Sequence, residues 1–168
     1  MNSVAPDGEP ITRAGLVALE AELTQLETVR RRAIAARILA ARELGDLSEN
    51  ADYQIAKEDQ AHLETRIKRL RERRRNALIV ETDGEDSAFA FGRTAEVLDE
   101  ESGVVYTWTI VGSTEADVAR GKLSAQSPVA KALLGRSAGE SVEVQTPSGD
   151  RRYRVQRLVS SRGAVCGG

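Results

Sequence analysis

The chain has 168 residues, 40% of them hydrophobic but with one Trp, three Tyr and two Phe, enough apolar material for one or two small domains and not for one large core. Its 24 basic and 26 acidic residues nearly cancel, which argues against nucleic-acid binding driven by overall charge. A single cysteine, Cys166, excludes an intramolecular disulfide and a thiolate metal cluster; no apolar run has the length of a membrane span, and Met1–Pro10 lacks the regions of a secretory signal, so a cytoplasmic protein with no membrane partner is expected.

Two long helical patterns come first. Leu16, Leu19, Leu23 and Leu26 recur at steps of three and four, the seam of a two-stranded coil. Continued strictly, that register puts Arg30 and Arg37 in the seam, so a slip onto Ala33, Ile34, Ile38 and Ala41 is expected. The second arm keeps its spacing through Tyr53, Ala56, Gln60, Leu63, Ile67, Leu70, Arg74 and Ala77, with no proline or glycine from Ala51 to Val80. Each arm runs about 30 residues, roughly 45 Å at the helical rise, too long for burial along its whole length. Together they predict an antiparallel coiled-coil hairpin over residues 1–80, projecting from its companion domain.

Between the arms lies Gly45-Asp46-Leu47-Ser48-Glu49-Asn50-Ala51-Asp52-Tyr53. Gly45 suits the left-handed position that ends a helix, and Asp46 followed by Glu49 has the spacing of a capping box opening the next. A cap accounts for both acids with about 0.5–2 kcal/mol and no function. Glu43, Asp46, Glu49, Asp52, Glu58 and Asp59 nevertheless crowd the apex, with only Arg42 and Lys57 to offset them. Mutual repulsion makes this a poor way to stabilise a tip, so a metal or ligand role stands beside the capping one. Lower on the shaft, Arg30 to Arg32 face the start of the run from Arg66 to Arg75, either a basic middle or a solvated face laced with pairs such as Glu64 with Lys68. His62 is expected on the helix surface.

After Val80 the texture changes. Residues 81–90 predict an acidic linker, and residues 91–168 a second domain. Thr94 to Leu98 and Val104 to Val111 have strand composition around a connection at Asp99–Gly103, and Ser141 to Thr146 pairs with Arg151 to Val159 in the same way. Lys122 to Ser124 makes a further short strand. Ser127-Pro128 has the form of a cap followed by proline at the first helical position, leading Val129 to Leu134 into a short helix stopped at Gly135. Tyr106 and Trp108 alternate with Thr107 and Thr109 and are expected to pack inward. The class is α+β: an N-terminal helical hairpin, then a small antiparallel sheet.

The apex and its flanks resemble the Gre family of bacterial transcript cleavage factors. The resemblance rests on Val29-Arg30-Arg31, Ala41-Arg42-Glu43, the apex from Gly45 to Tyr53, and Ala56-Lys57-Glu58. It continues through Phe91-Gly92, Ile110-Val111-Gly112, Glu115-Ala116-Asp117, Ser127-Pro128-Val129-Ala130, Leu133-Leu134-Gly135 and Thr146-Pro147-Ser148-Gly149, in family order over nearly the whole chain. Departures are Arg32 in place of a proline, Gln126 before Ser127, and Gln54-Ile55 past the tip.

That likeness implies an FKBP-like second domain docking at the mouth of the secondary channel of bacterial RNA polymerase, partly through Ser127 and Pro128, with the coiled coil reaching inward. It assigns the essential acids to Asp46 and Glu49, a basic spot contacting the RNA 3′ end to Arg42 and Lys57, and a supporting part in the tip to Asn50 and Tyr53. The cofactor implied is Mg²⁺ shared with the polymerase through Asp46 and Glu49, since a hard cation takes carboxylate oxygens. Such a factor is not itself an enzyme: it stimulates transcript cleavage by the polymerase. Open alternatives are a non-cleaving regulator of the same channel with the same architecture, a coiled-coil interaction protein whose tip only caps a helix, and direct nucleic-acid binding through the shaft.

Overall fold

The computed structural model describes residues 8–45, 49–80 and 87–159. Two compact units divide the chain: one contains Ala14–Ala77, the other Pro10–Arg13 together with the chain from Leu78 onward.

In the first unit, α1 (Arg13–Gln25), a π-helical turn (Leu26–Arg30) and α2 (Arg31–Glu43) run on as one arm, and α3 (Ala51–Asn76) forms the other. The π turn is the physical form of the expected slip. One extra residue in the ladder advances the buried face, so Leu19 and Leu23 are followed by Ile34, Ile38 and Ala41 while Arg30 and Arg37 stay exposed. Ala33 does not join this face and is exposed. Opposite, Ala56, Leu63, Ile67 and Leu70 are buried; each large aliphatic side chain contributes about 1.5–3 kcal/mol. Gln60 is half-buried and Arg74 exposed, so the seam is shorter than the periodicity suggested.

Four of the shaft's arginines pair with acids. Arg31 binds Glu64, Arg37 binds Asp59 and Arg66 binds Glu22, each at 2.7 Å, and Arg71 binds Glu27. All four pairs cross between the arms, so Glu64 is taken by Arg31 and not by Lys68. The Arg31 hydrogen bond holds the Glu64 carboxyl below the usual carboxylate range. Pairs this exposed add little stability, but they favour one register of the hairpin over its neighbours.

The second arm ends earlier than expected. Ala77 turns to extended backbone (φ −69°, ψ 128°), and β2 (Ala77–Ile79) pairs with β1 (Glu9–Ile11) in a two-stranded sheet. Consecutive apolar residues suit a ribbon better than the exposed end of a helix.

The second unit is a five-stranded sheet in the order β5-β4-β3-β7-β6, built from β3 (Thr94–Asp99), β4 (Val105–Val111), β5 (Lys122–Ser124), β6 (Ser141–Thr146) and β7 (Gly149–Val159). The sheet is mixed, not wholly antiparallel, because β5 lies parallel to β4. A 3₁₀ turn (Val118–Arg120) makes that crossover possible, and Gly121 carries it because a Cβ there would strike the Thr107 carbonyl. Helix α4 (Pro128–Leu133) supplies Ala130 and Leu133 to the core with Val97, Ile110 and Val155.

Trp108 is buried, stacked on Tyr106 at 4.8 Å and edge-on to Tyr153 at 5.6 Å, so that strand face points inward as its alternation implied. Phe89 is fully buried in the same core, its N–H on the Arg136 carbonyl and its carbonyl accepting from Gly135. The expected linker 81–90 is therefore corrected at its end: a large aromatic side chain is better buried than left in a solvated connection. Asp99 is the one buried charged residue among those described. Burial would push its carboxyl up, but N–H groups of Glu101 and Ser102 and the Arg151 guanidinium at 2.8 Å hold it below the usual range.

Candidate functional site

At the end of α2 the chain leaves the helix through Leu44 and Gly45, whose φ of 111° is open to glycine. The last helical carbonyls need donors there. Leu44 N–H reaches the Ala41 carbonyl at 3.3 Å, and Gly45 N–H reaches that of Arg42 at 3.4 Å.

Beyond the turn, α3 opens at Asn50, not at Asp46. Asn50 has extended backbone (φ −87°, ψ 99°), and its Oδ1 accepts the N–H of Tyr53 at 3.1 Å. Its Nδ2 donates to the Ala41 carbonyl at 2.8 Å. One amide thus caps the start of the second arm and satisfies the end of the first. The capping box expected from Asp46 and Glu49 does not open α3: the helix begins at Ala51, so its N-cap is Asn50 and the N–H that the cap satisfies is that of Tyr53. The signal was in the sequence, since Asn directly before an uninterrupted helical run is among the best N-caps.

Glu49 lies immediately before this cap and is exposed, and no described residue pairs with it. Asp46 lies outside the described residues. Arg42, in the last turn of α2, sets its guanidinium 6.0 Å from the centre of the Tyr53 ring, a cation–π approach between the arms. Lys57 stands one helical turn beyond Tyr53, with Nζ donating to Gln60 Oε1 at 3.0 Å. So the structure joins Asn50, Tyr53 and Arg42 in one contact set beside Glu49. It links Lys57 to Gln60 and leaves His62 exposed.

Carboxylate is a suitable donor for a hard divalent ion. Among the described residues, no three His, Cys, Asp or Glu side chains converge to hold one. An exposed acid of this kind can add to a coordination sphere whose other ligands come from elsewhere.

In the second unit, Ser127 and Pro128 do what their sequence suggests. Ser127 Oγ accepts the Ala130 N–H at 3.1 Å, and Pro128 occupies the first turn of α4 with its ring exposed. No helix of the described residues is long and apolar enough to cross a membrane.

Two family models match the chain, "Transcription elongation factor, N-terminal" over residues 9–79 and "Transcription elongation factor, GreA/GreB, C-term" over residues 84–158. The chain is 46% identical over 149 residues to transcription elongation factor GreA of Bacillus velezensis, covering 89% of this chain and 95% of that one. It is 44% identical to GreA of Bacillus subtilis, again covering 89% and 95%. Among solved structures, the GreA factor homolog 1 (Gfh1) protein of Thermus thermophilus is similar at 29% identity and a TM-score of 0.42, covering 91% of this chain and 99% of that one.

Proposed function

The chain belongs to the GreA/GreB family of transcription elongation factors, and from that premise we propose that it enters the secondary channel of bacterial RNA polymerase, in the cytoplasm, and stimulates the polymerase's own cleavage of backtracked RNA. The helical hairpin carries the tip inward, and the sheet domain docks at the channel mouth with Ser127 and Pro128 in the contact. Asp46 and Glu49 offer carboxylate oxygens to Mg²⁺ shared with the polymerase. Bound there, the ion would supply Lewis-acid chemistry for phosphodiester hydrolysis, the activation of water and the stabilisation of a leaving oxygen.

The chain's own task is positioning. Asn50 ties the first turn of α3 to the end of α2, so Glu49 leaves a restrained backbone and not a frayed one. Tyr53 and Arg42 brace the same junction, and Arg42 with Lys57 gives the positive charge that meets the displaced RNA 3′ end. The exposed Glu49 carboxylate beside a doubly bonded cap is the observation that carries this reading. A purely structural capping acid would be spent on the helix, whereas here Asn50 does the capping.

The test adds purified factor to a stalled, backtracked elongation complex and follows the RNA from its 3′ end. Wild-type protein should shorten the transcript, while Asp46→Ala and Glu49→Ala should each lose about 100-fold in cleavage rate with binding retained, the scale of removing one preorganised catalytic group. Binding without any shortening by the wild type would replace this reading with that of a non-cleaving channel regulator.

A further inference from the structure

The motif Gly112-x-x-Glu115 follows β4 in the sheet domain, and no part of the proposed tip chemistry uses it. Its side chain and its missing side chain both face one partner, the chain's own segment Pro10–Thr12. Glu115 Oε2 accepts the Thr12 N–H at 3.0 Å and the Gly112 N–H at 3.3 Å, while Oε1 accepts the Thr12 hydroxyl at 2.5 Å. Gly112 is buried, and a Cβ there would collide with the Pro10 carbonyl oxygen, so only glycine admits the segment this closely. Ile11, between the two held residues, is 2% exposed, and its carbonyl accepts the Val80 N–H at 3.2 Å.

We propose that Gly112 and Glu115 form a receptor for Pro10–Thr12, and that Glu115 is a positioning residue acting on the tip through the segment that leads into α1. β1 and β2 are three residues each, and a two-stranded ribbon of that length is marginal in water without further packing. Glu115 supplies what the ribbon lacks, two hydrogen bonds from Thr12 to a carboxylate that the Gly112 N–H holds in place, stronger than those between neutral groups. The residue after the clasped Thr12 is Arg13, the first of α1, so the clasp removes backbone freedom where the first arm begins. Losing it would leave the arms intact and free the backbone that leads into α1. This rests on the proposed delivery of the tip acids to the polymerase.

The experiment combines amide exchange, a distance measurement and cleavage. In Glu115→Ala, exchange at the Thr12 amide should speed by about tenfold or more. With nitroxides at Lys68→Cys and Glu143→Cys on a Cys166→Ser background, the distance distribution should broaden about twofold. The maximal cleavage rate should fall about tenfold while the half-saturating factor concentration moves less than about twofold. Glu115→Gln, whose amide can still accept from both N–H groups and donate to the Thr12 hydroxyl, should stay within about threefold of wild type in all three. Gly112→Ala keeps the carboxylate and should produce the alanine phenotype from the opposite side.

Unchanged Thr12 exchange in Glu115→Ala overturns the receptor. Faster exchange with an unbroadened distance distribution overturns the positioning role. Should the wild-type protein stimulate no cleavage, the functional reading fails, while exchange and distance still decide the clasp.

Discussion

Replacing Asn50 by alanine removes two hydrogen bonds at once, one at each side of the apex. The cap from Oδ1 to Tyr53 N–H is worth about 1 kcal/mol, and the bond from Nδ2 to the Ala41 carbonyl about 1 kcal/mol more. The helical hairpin should therefore lose about 2 kcal/mol, a urea midpoint about 1 M lower for a unit of this size. Two optical probes separate the units, since a two-unit chain need not unfold in one step. Far-UV circular dichroism follows the arms, and the fluorescence of Trp108, the sole tryptophan, follows the sheet domain. Asn50→Asp keeps the cap acceptor but not the donor to Ala41, so it should recover about half of the loss. A helical midpoint shifted by less than about 0.3 M in Asn50→Ala, or Asn50→Asp no better than alanine, would refute the double role of this amide.

Asp99 gives the sheet domain a pH signature. Its folded carboxyl titrates below the unfolded one, so its contribution is fully present above about pH 4 and is lost as the pH falls through the depressed folded value. Asp99→Asn should lower the Trp108 unfolding midpoint at neutral pH and flatten its decline in acid; a parallel decline in both proteins would contradict this. Ile67, 1% exposed in the middle of the seam, should cost about 3 kcal/mol as Ile67→Ala, whereas Arg69→Ala, on the exposed face of α3, should stay within about 0.5 kcal/mol by helical circular dichroism.

The sequence by itself determined the two arms, the inward strand face at Tyr106 and Trp108, and the class of the fold. Each follows from side-chain period, a local property written along one element. It also located the cap at Ser127, because short-range spacing states it. Tertiary structure alone decided what depends on residues far apart in the chain. The slip near Arg30 was legible as a conflict in spacing, but whether it would be met by a kink, a gap or a π turn depended on packing against α3. Asn50 could be seen as a helix start, yet its second bond needed the carbonyl of Ala41 brought back by the turn. The same holds for the arginines of the shaft, whose partners lie across the hairpin and not one turn along the helix. Glu115 and Gly112 were visible only as a motif. Their meaning came from Thr12, 103 residues from Glu115, because a hydrogen bond and a steric collision depend on distance in space, which periodicity along a chain does not encode.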